Sequence, residues 1–87
     1  MVITGKVQGV YYRAWTTDTA SSLGLSGWVR NLNNGDVEAI FNGTEDKVTQ
    51  MIKLCWSGSS SSKVENISVY DYSEAPLEGF IQKPTVY

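Results

Sequence analysis

Twice in 87 residues a strand-like run gives way to a helical face and returns to a strand, and the two halves meet at Asn34-Gly35. That dipeptide is a strong hairpin signal because both residue types tolerate the positive φ that a tight turn requires. On either side of it, residues 26–32 and 36–42 read as paired strands. Val29 and Asn31 share one face of the first, and Val37, Ala39 and Phe41 share one face of the second. Upstream, Val2, Ile3 and Val7 read as a short strand ending at Gln8-Gly9. Tyr12, Thr16, Ala20 and Leu23 then recur at helical spacing, and Gly24 stops the helix. Downstream, Thr44 is the N-cap of a second helix, with Glu45 and Asp46 in the first turn where the helix dipole favours negative charge. Its apolar stripe is Val48, Met51, Ile52 and Cys55. The low-complexity run GSSSS, residues 58–62, reads as a mobile connection. Ile67 and Val69 mark a further strand, and Phe80-Ile81 begin a last one that Pro84 confines to an edge.

The expected order is therefore βαββαβ in a single domain over residues 1–87. Two helices of about 12 residues are too few to cover both faces of so small a sheet, so both belong on one face of it. This is an α+β fold: a ferredoxin-like two-layer sandwich with a mainly antiparallel sheet. Because that architecture hosts many unrelated activities, the site has to decide the function.

Composition narrows the choices. Seven basic against nine acidic residues give a net charge of -2, so the chain has no general attraction for nucleic acid or anionic lipid. The basic, glycine-aromatic signature of RNA-recognition modules is also missing, and Trp15, Trp56, Tyr70 and Tyr72 read as partial core or surface aromatics rather than a base-stacking platform. The lone cysteine, Cys55, lies in an apolar run and reads as core. One cysteine, no signal-peptide pattern and no apolar run near the ~20 residues that span a bilayer lead us to expect a cytoplasmic protein without a membrane partner.

The stretch GKVQGVYYR, residues 5–13, carries the chemistry. A strand that turns through Gly9 directly into a helix leaves the first N–H groups of that helix without partners. Gly9 has no side chain to obstruct a bound oxyanion, and Arg13 adds a forked cationic donor that matches phosphate oxygens. The chain has no histidine, no metal-ligand spacing, no nucleophile elbow and no P-loop. A reaction that needs neither an acid catalyst nor a metal is cleavage of a mixed carboxylic-phosphoric anhydride, whose carboxylate leaving group, with a pKa of roughly 4, departs unprotonated. Holding the phosphoryl group and placing a water in line with the leaving oxygen is then sufficient.

The residues GKVQGVYYR at 5–13, ASSLGLSGWVRN at 20–31, NGDVE at 34–38 and Gly43 together resemble the acylphosphatase family, densely over the first half and more loosely beyond. The resemblance implies a monomeric ferredoxin-like enzyme that hydrolyses acyl phosphates to carboxylate and inorganic phosphate without cofactor or metal, with phosphate or sulfate as competing anions. It implies that Arg13 grips the phosphoryl group, that the backbone of Gln8, Gly9, Val10, Tyr11 and Tyr12 cradles it, and that Asn31 orients the attacking water. Trp28 and Arg30, on the opposite face of their strand, read as structural. Tyr12 stands where the family commonly has phenylalanine, so its hydroxyl needs a partner. The alternative is a non-catalytic acylphosphatase-like anion-binding or regulatory module.

Overall fold

The protein is described by a computed structural model over residues 1–69 and 79–85. Tyr70 and Tyr72 lie outside those residues. The elements are β1 (Val2–Lys6), α1 (Tyr12–Ser22), β2 (Ser26–Asn31), β3 (Val37–Asn42), α2 (Glu45–Ser57), β4 (Lys63–Ser68) and β5 (Phe80–Gln82). They form one sheet in the order β4-β1-β3-β2-β5, antiparallel throughout except for the parallel pair β2 and β5. α1 packs over β2 and β5, and α2 over β4. This is the two-layer ferredoxin-like sandwich, with a short parallel strand added at the edge that Pro84 marks.

The core forms where the apolar faces meet. Ile3, Val29, Val37 and Ala39 from the sheet pack against Tyr12 and Ala20 of α1 and Met51 and Cys55 of α2. Thr16 is fully buried in the same face of α1, and its hydroxyl donates to the Tyr12 carbonyl at 2.8 Å, so burial leaves that group satisfied. Thr44 caps α2 by accepting from the Lys47 N–H at 3.4 Å. The assigned strands end at Asn31 and resume at Val37, and the β2–β3 hairpin closes at the pair that the alternation suggests. Leu32 N–H donates to the Asp36 carbonyl at 2.9 Å, which leaves Asn33, Asn34 and Gly35 in the loop.

One strand departs from expectation. Val69 lies beyond the end of β4 and is exposed, whereas Val64 packs on the core beside buried Ile67. The cause is an irregularity in the β1–β4 register between Thr4 and Gly5, so that Ile67 faces Ile3 while Val64 faces Gly5. The shift turns residues of odd spacing to the same side, which strict period-two counting cannot anticipate.

Trp28 lies on the sheet face away from Val29 yet is buried, because the Arg30 guanidinium sits 4.7 Å and the Lys83 ammonium 4.6 Å from its ring centroid. Arg30 is held there by Glu38, whose Oε1 accepts from Arg30 Nε at 2.7 Å. The structural reading of both residues fits this arrangement.

Cys55 is enclosed by the core, and burial pushes its thiol up to about 12 from an ordinary 9.0. Burial likewise raises the Tyr12 phenol. A raised folded-state value means that the native protein retains protons that the unfolded chain gives up. Stability is therefore whole below pH 9.0 and declines as pH climbs toward 12. We expect the native thiol at pH 8 to react with a thiol reagent far more slowly than in denaturant, and the melting temperature to drop steadily above pH 9. Rapid labelling of the native protein would place Cys55 at an accessible site.

Candidate active site

β1 ends at Lys6 and α1 begins at Tyr12, so the intervening residues must reverse direction in a short span. Two of them use the left-handed region to do so: Gly9 at φ 71° and Tyr11 at φ 60°. For glycine this conformation is without steric penalty, while for tyrosine it costs about 1–3 kcal/mol that the surroundings must offset. Tyr11 is the only non-glycine residue with positive φ among the described residues, and its side chain is 84% exposed. Backbone that alternates in and out of the left-handed region turns successive N–H groups toward one concave side, which favours an anion.

The hydrogen bonds leave these N–H groups free. Among the described residues, no protein acceptor takes the N–H of residues 9–14, and α1 has no side-chain cap. The positive end of the helix dipole is therefore open. A pocket of about 360 Å³ lies over these groups, lined by Val7, Gly9, Tyr11, Tyr12, Arg13, Ala14, Asn31 and Gln82.

Arg13 is partly buried at its wall. One terminal nitrogen, Nη1, donates to the Lys83 carbonyl at 3.3 Å, which orients the guanidinium and leaves its other donors uncommitted among the described residues. Lys83 is in place because β5 runs parallel to β2 and its N–H donates to the Val29 carbonyl at 2.8 Å. Asn31 is the last residue of β2, and its Oδ1 is buried without a protein partner while the residue lines the pocket. A buried acceptor without a donor carries a cost on the order of 1–3 kcal/mol, and such groups collect at functional sites.

The structure thus brings Gly9, Tyr11, Tyr12, Arg13 and Asn31 together around one cavity. Gln8 and Val10 take other positions. Gln8 Nε2 donates to the Leu32 carbonyl at 2.7 Å and to the Asp36 carbonyl at 2.8 Å, so its side chain clamps the loop to the base of the hairpin, next to the strand end that carries Asn31. The Val10 side chain is buried in the core. The Tyr12 hydroxyl has the partner it needs, the Cys55 carbonyl at 2.8 Å, which links α1 to α2 beneath the pocket.

Sequence reasoning missed three contributors. Gln82, the last residue of β5, lines the pocket and Lys83, the residue after it, orients Arg13, both some seventy positions away with no local motif to announce them. The GSSSS run is the third. Ser59 is buried rather than part of a loose connection, and its hydroxyl donates to the Val10 carbonyl at 2.8 Å. Gly58 belongs to the same contact, since a Cβ there would come within 2.7 Å of Tyr12 Cε2.

Fold and site together define a small ferredoxin-like protein with a pocket of about 360 Å³ at its first strand-to-helix turn, and no cluster of three or more metal-ligating side chains among the described residues. The family model described as Acylphosphatase matches residues 1–81. The chain is 51% identical over 84 residues to an acylphosphatase of Rhizorhabdus wittichii, covering 97% of this chain and 85% of that protein. It is 48% identical over 84 residues to an acylphosphatase of Rhodospirillum rubrum, covering 97% and 92%. The crystal structure of acylphosphatase from Bacillus subtilis superposes with a TM-score of 0.87 at 33% identity, covering 99% of this chain and 93% of that one. The chain belongs to the acylphosphatase family.

Proposed function

We propose that the pocket hydrolyses the carboxyl–phosphate bond of small acyl phosphates by in-line attack of a positioned water. The observation that carries this reading is the pairing of unlike groups in one cavity: a row of free N–H donors and the Arg13 guanidinium beside the Asn31 carboxamide. Donors alone would suffice for an anion-binding module. A carboxamide offers an acceptor as well as a donor, and its oxygen, turned to the cavity, takes a hydrogen bond from a water and leaves an oxygen lone pair free to attack phosphorus. That favours hydrolysis over the non-catalytic alternative.

In this reading the N–H groups at the start of α1 and the Arg13 fork bind the phosphoryl oxygens and stabilise them as the bond to the carboxylate lengthens. Asn31 orients the water on the opposite side. The leaving carboxylate, with an ordinary pKa near ~4, departs without a proton, and after attack the water's proton passes to a phosphoryl oxygen, so that the products are carboxylate and inorganic phosphate. Inorganic phosphate, as product, and sulfate compete for the same cradle. The working unit in this reading is a monomer, and a lone buried thiol suits a reducing cytoplasm. Among the described residues, no helix is long and apolar enough to cross a membrane.

The test is loss of the anhydride of benzoyl phosphate on incubation with the protein and a chelator. We expect turnover whose rate is nearly flat between about pH 5.5 and 9, because arginine and asparagine side chains have no proton to exchange in that range. A shallow acidic fall would follow the second ionisation of the substrate, near ~6 for phosphate monoesters, and should move with the substrate chosen. An enzyme pKa that stays fixed as substrates vary would mean a carboxylate general base and would overturn the positioning mechanism. No turnover at all would return the chain to the anion-binding alternative.

A further inference from the structure

The groups nearest the pocket account for its donors, but not for what aims them. The amide between Val10 and Tyr11 sits at the centre of the turn, between the left-handed residues Gly9 and Tyr11. In a trans peptide the carbonyl and the N–H point in opposite directions within one rigid plane, so whatever holds one end aims the other. The Val10 carbonyl accepts from the buried Ser59 hydroxyl at 2.8 Å. Neither Val10 nor Ser59 lines the pocket, whereas Tyr11 does. The bond therefore lies behind the cradle and directs the Tyr11 N–H to its open side.

Ser59 is itself held from two directions. Ser62 Oγ and Ser62 N–H both donate to the Ser59 carbonyl, at 2.7 and 3.0 Å, closing the turn after α2. Gly58, at φ 64°, lets that turn lie against the Tyr12 ring. A turn built only to connect α2 to β4 would need neither the buried hydroxyl nor the close approach.

We propose that Ser59 is a positioning residue for the phosphoryl cradle, acting through the Val10 carbonyl to keep the Tyr11 N–H aimed at the bound anion. The proposal rests on the reading of the pocket as a phosphoryl site. It means that the α2–β4 turn, which contributes no residue to the pocket lining, sets how tightly phosphate is held.

The experiment compares the intact protein with Ser59→Ala, Ser59→Thr and Thr44→Ala, measuring phosphate affinity, the kinetics of benzoyl phosphate hydrolysis and thermal stability. Thr44 caps the far end of α2 and serves as a control for destabilisation alone. Ser59→Ala should weaken phosphate binding by about three- to tenfold, the span expected for one aimed hydrogen bond. Its KM should rise more than its kcat falls, since Arg13 and Asn31 remain. Ser59→Thr should recover most of the affinity, and Thr44→Ala should melt earlier without losing any. A second measurement needs no variant: on titrating the native protein with inorganic phosphate, the Tyr11 amide proton should move downfield as it enters a hydrogen bond. An unchanged phosphate affinity in folded Ser59→Ala, or a Tyr11 amide indifferent to phosphate, would overturn the proposal while leaving hydrolysis intact. Failure of the native protein itself to bind phosphate would instead remove the underlying reading, and the proposal with it.

Discussion

Arg13→Lys loses turnover by about 10²-fold or more although the charge is kept, the scale seen when one transition-state donor is removed from a preorganised site. Lysine supplies a point charge with no fixed fork, so it cannot span two phosphoryl oxygens in one plane. It also cannot reproduce the arrangement in which one guanidinium nitrogen is anchored on the Lys83 carbonyl while the others remain free for the pocket. Inhibition by inorganic phosphate should weaken in the same variant, because product and transition state share the cradle. Near-normal turnover would remove Arg13 from the site. Lost turnover with unchanged phosphate inhibition would place the anion elsewhere.

Asn31→Ala should separate the two functions that Arg13→Lys merges. Turnover falls by about 10²–10³-fold, because a water no longer held in line attacks from a broad range of directions. Phosphate affinity stays close to normal, since the Asn31 oxygen makes no bond that the ground-state anion needs. Stability should not fall in step: the variant removes a buried acceptor that has no protein partner, so the loss of packing is offset by relief of an unsatisfied group. A parallel fall in turnover and phosphate binding would make Asn31 a ligand or a support for the loop. Turnover near normal would leave the water positioned by another group, with Gln82 the nearest in the same pocket.

Both of these proposed site residues stand out in the sequence, and for Arg13 the reason is local chemistry. A strand, a glycine and an arginine one helical turn on describe an anion site within nine consecutive residues, 5–13, because the orphaned N–H groups of a helix start are a property of the backbone. Asn31 is legible for a different reason: alternation sets it on the face of Val29, and the family resemblance supplies its role. Helix faces, the Thr44 cap and the hairpin follow from periodicities of the same short range. For Gln8 the resemblance implies a place in the cradle, and the fold shows its side chain as a clamp onto the Leu32 and Asp36 carbonyls, outside the pocket lining.

Sequence by itself determined the order of elements, the two-layer fold and the pairing of Arg13 with a glycine turn, since each depends on contacts within about one helical turn or one hairpin. Tertiary structure alone decided which remote groups support them. β5 pairs parallel to β2, and that register brings Gln82 to the pocket and the Lys83 carbonyl to Arg13. The β1–β4 irregularity sets Val64 and Ile67 against the core, while Val69 lies past the end of β4. Ser59, in a run of serines that reads as a loose connection, is buried against Val10 only because α2 ends directly behind the first turn. A hydroxyl in a polar run has the same composition whether it faces water or a carbonyl; which one it meets is fixed by how two distant segments pack, and no local pattern records that.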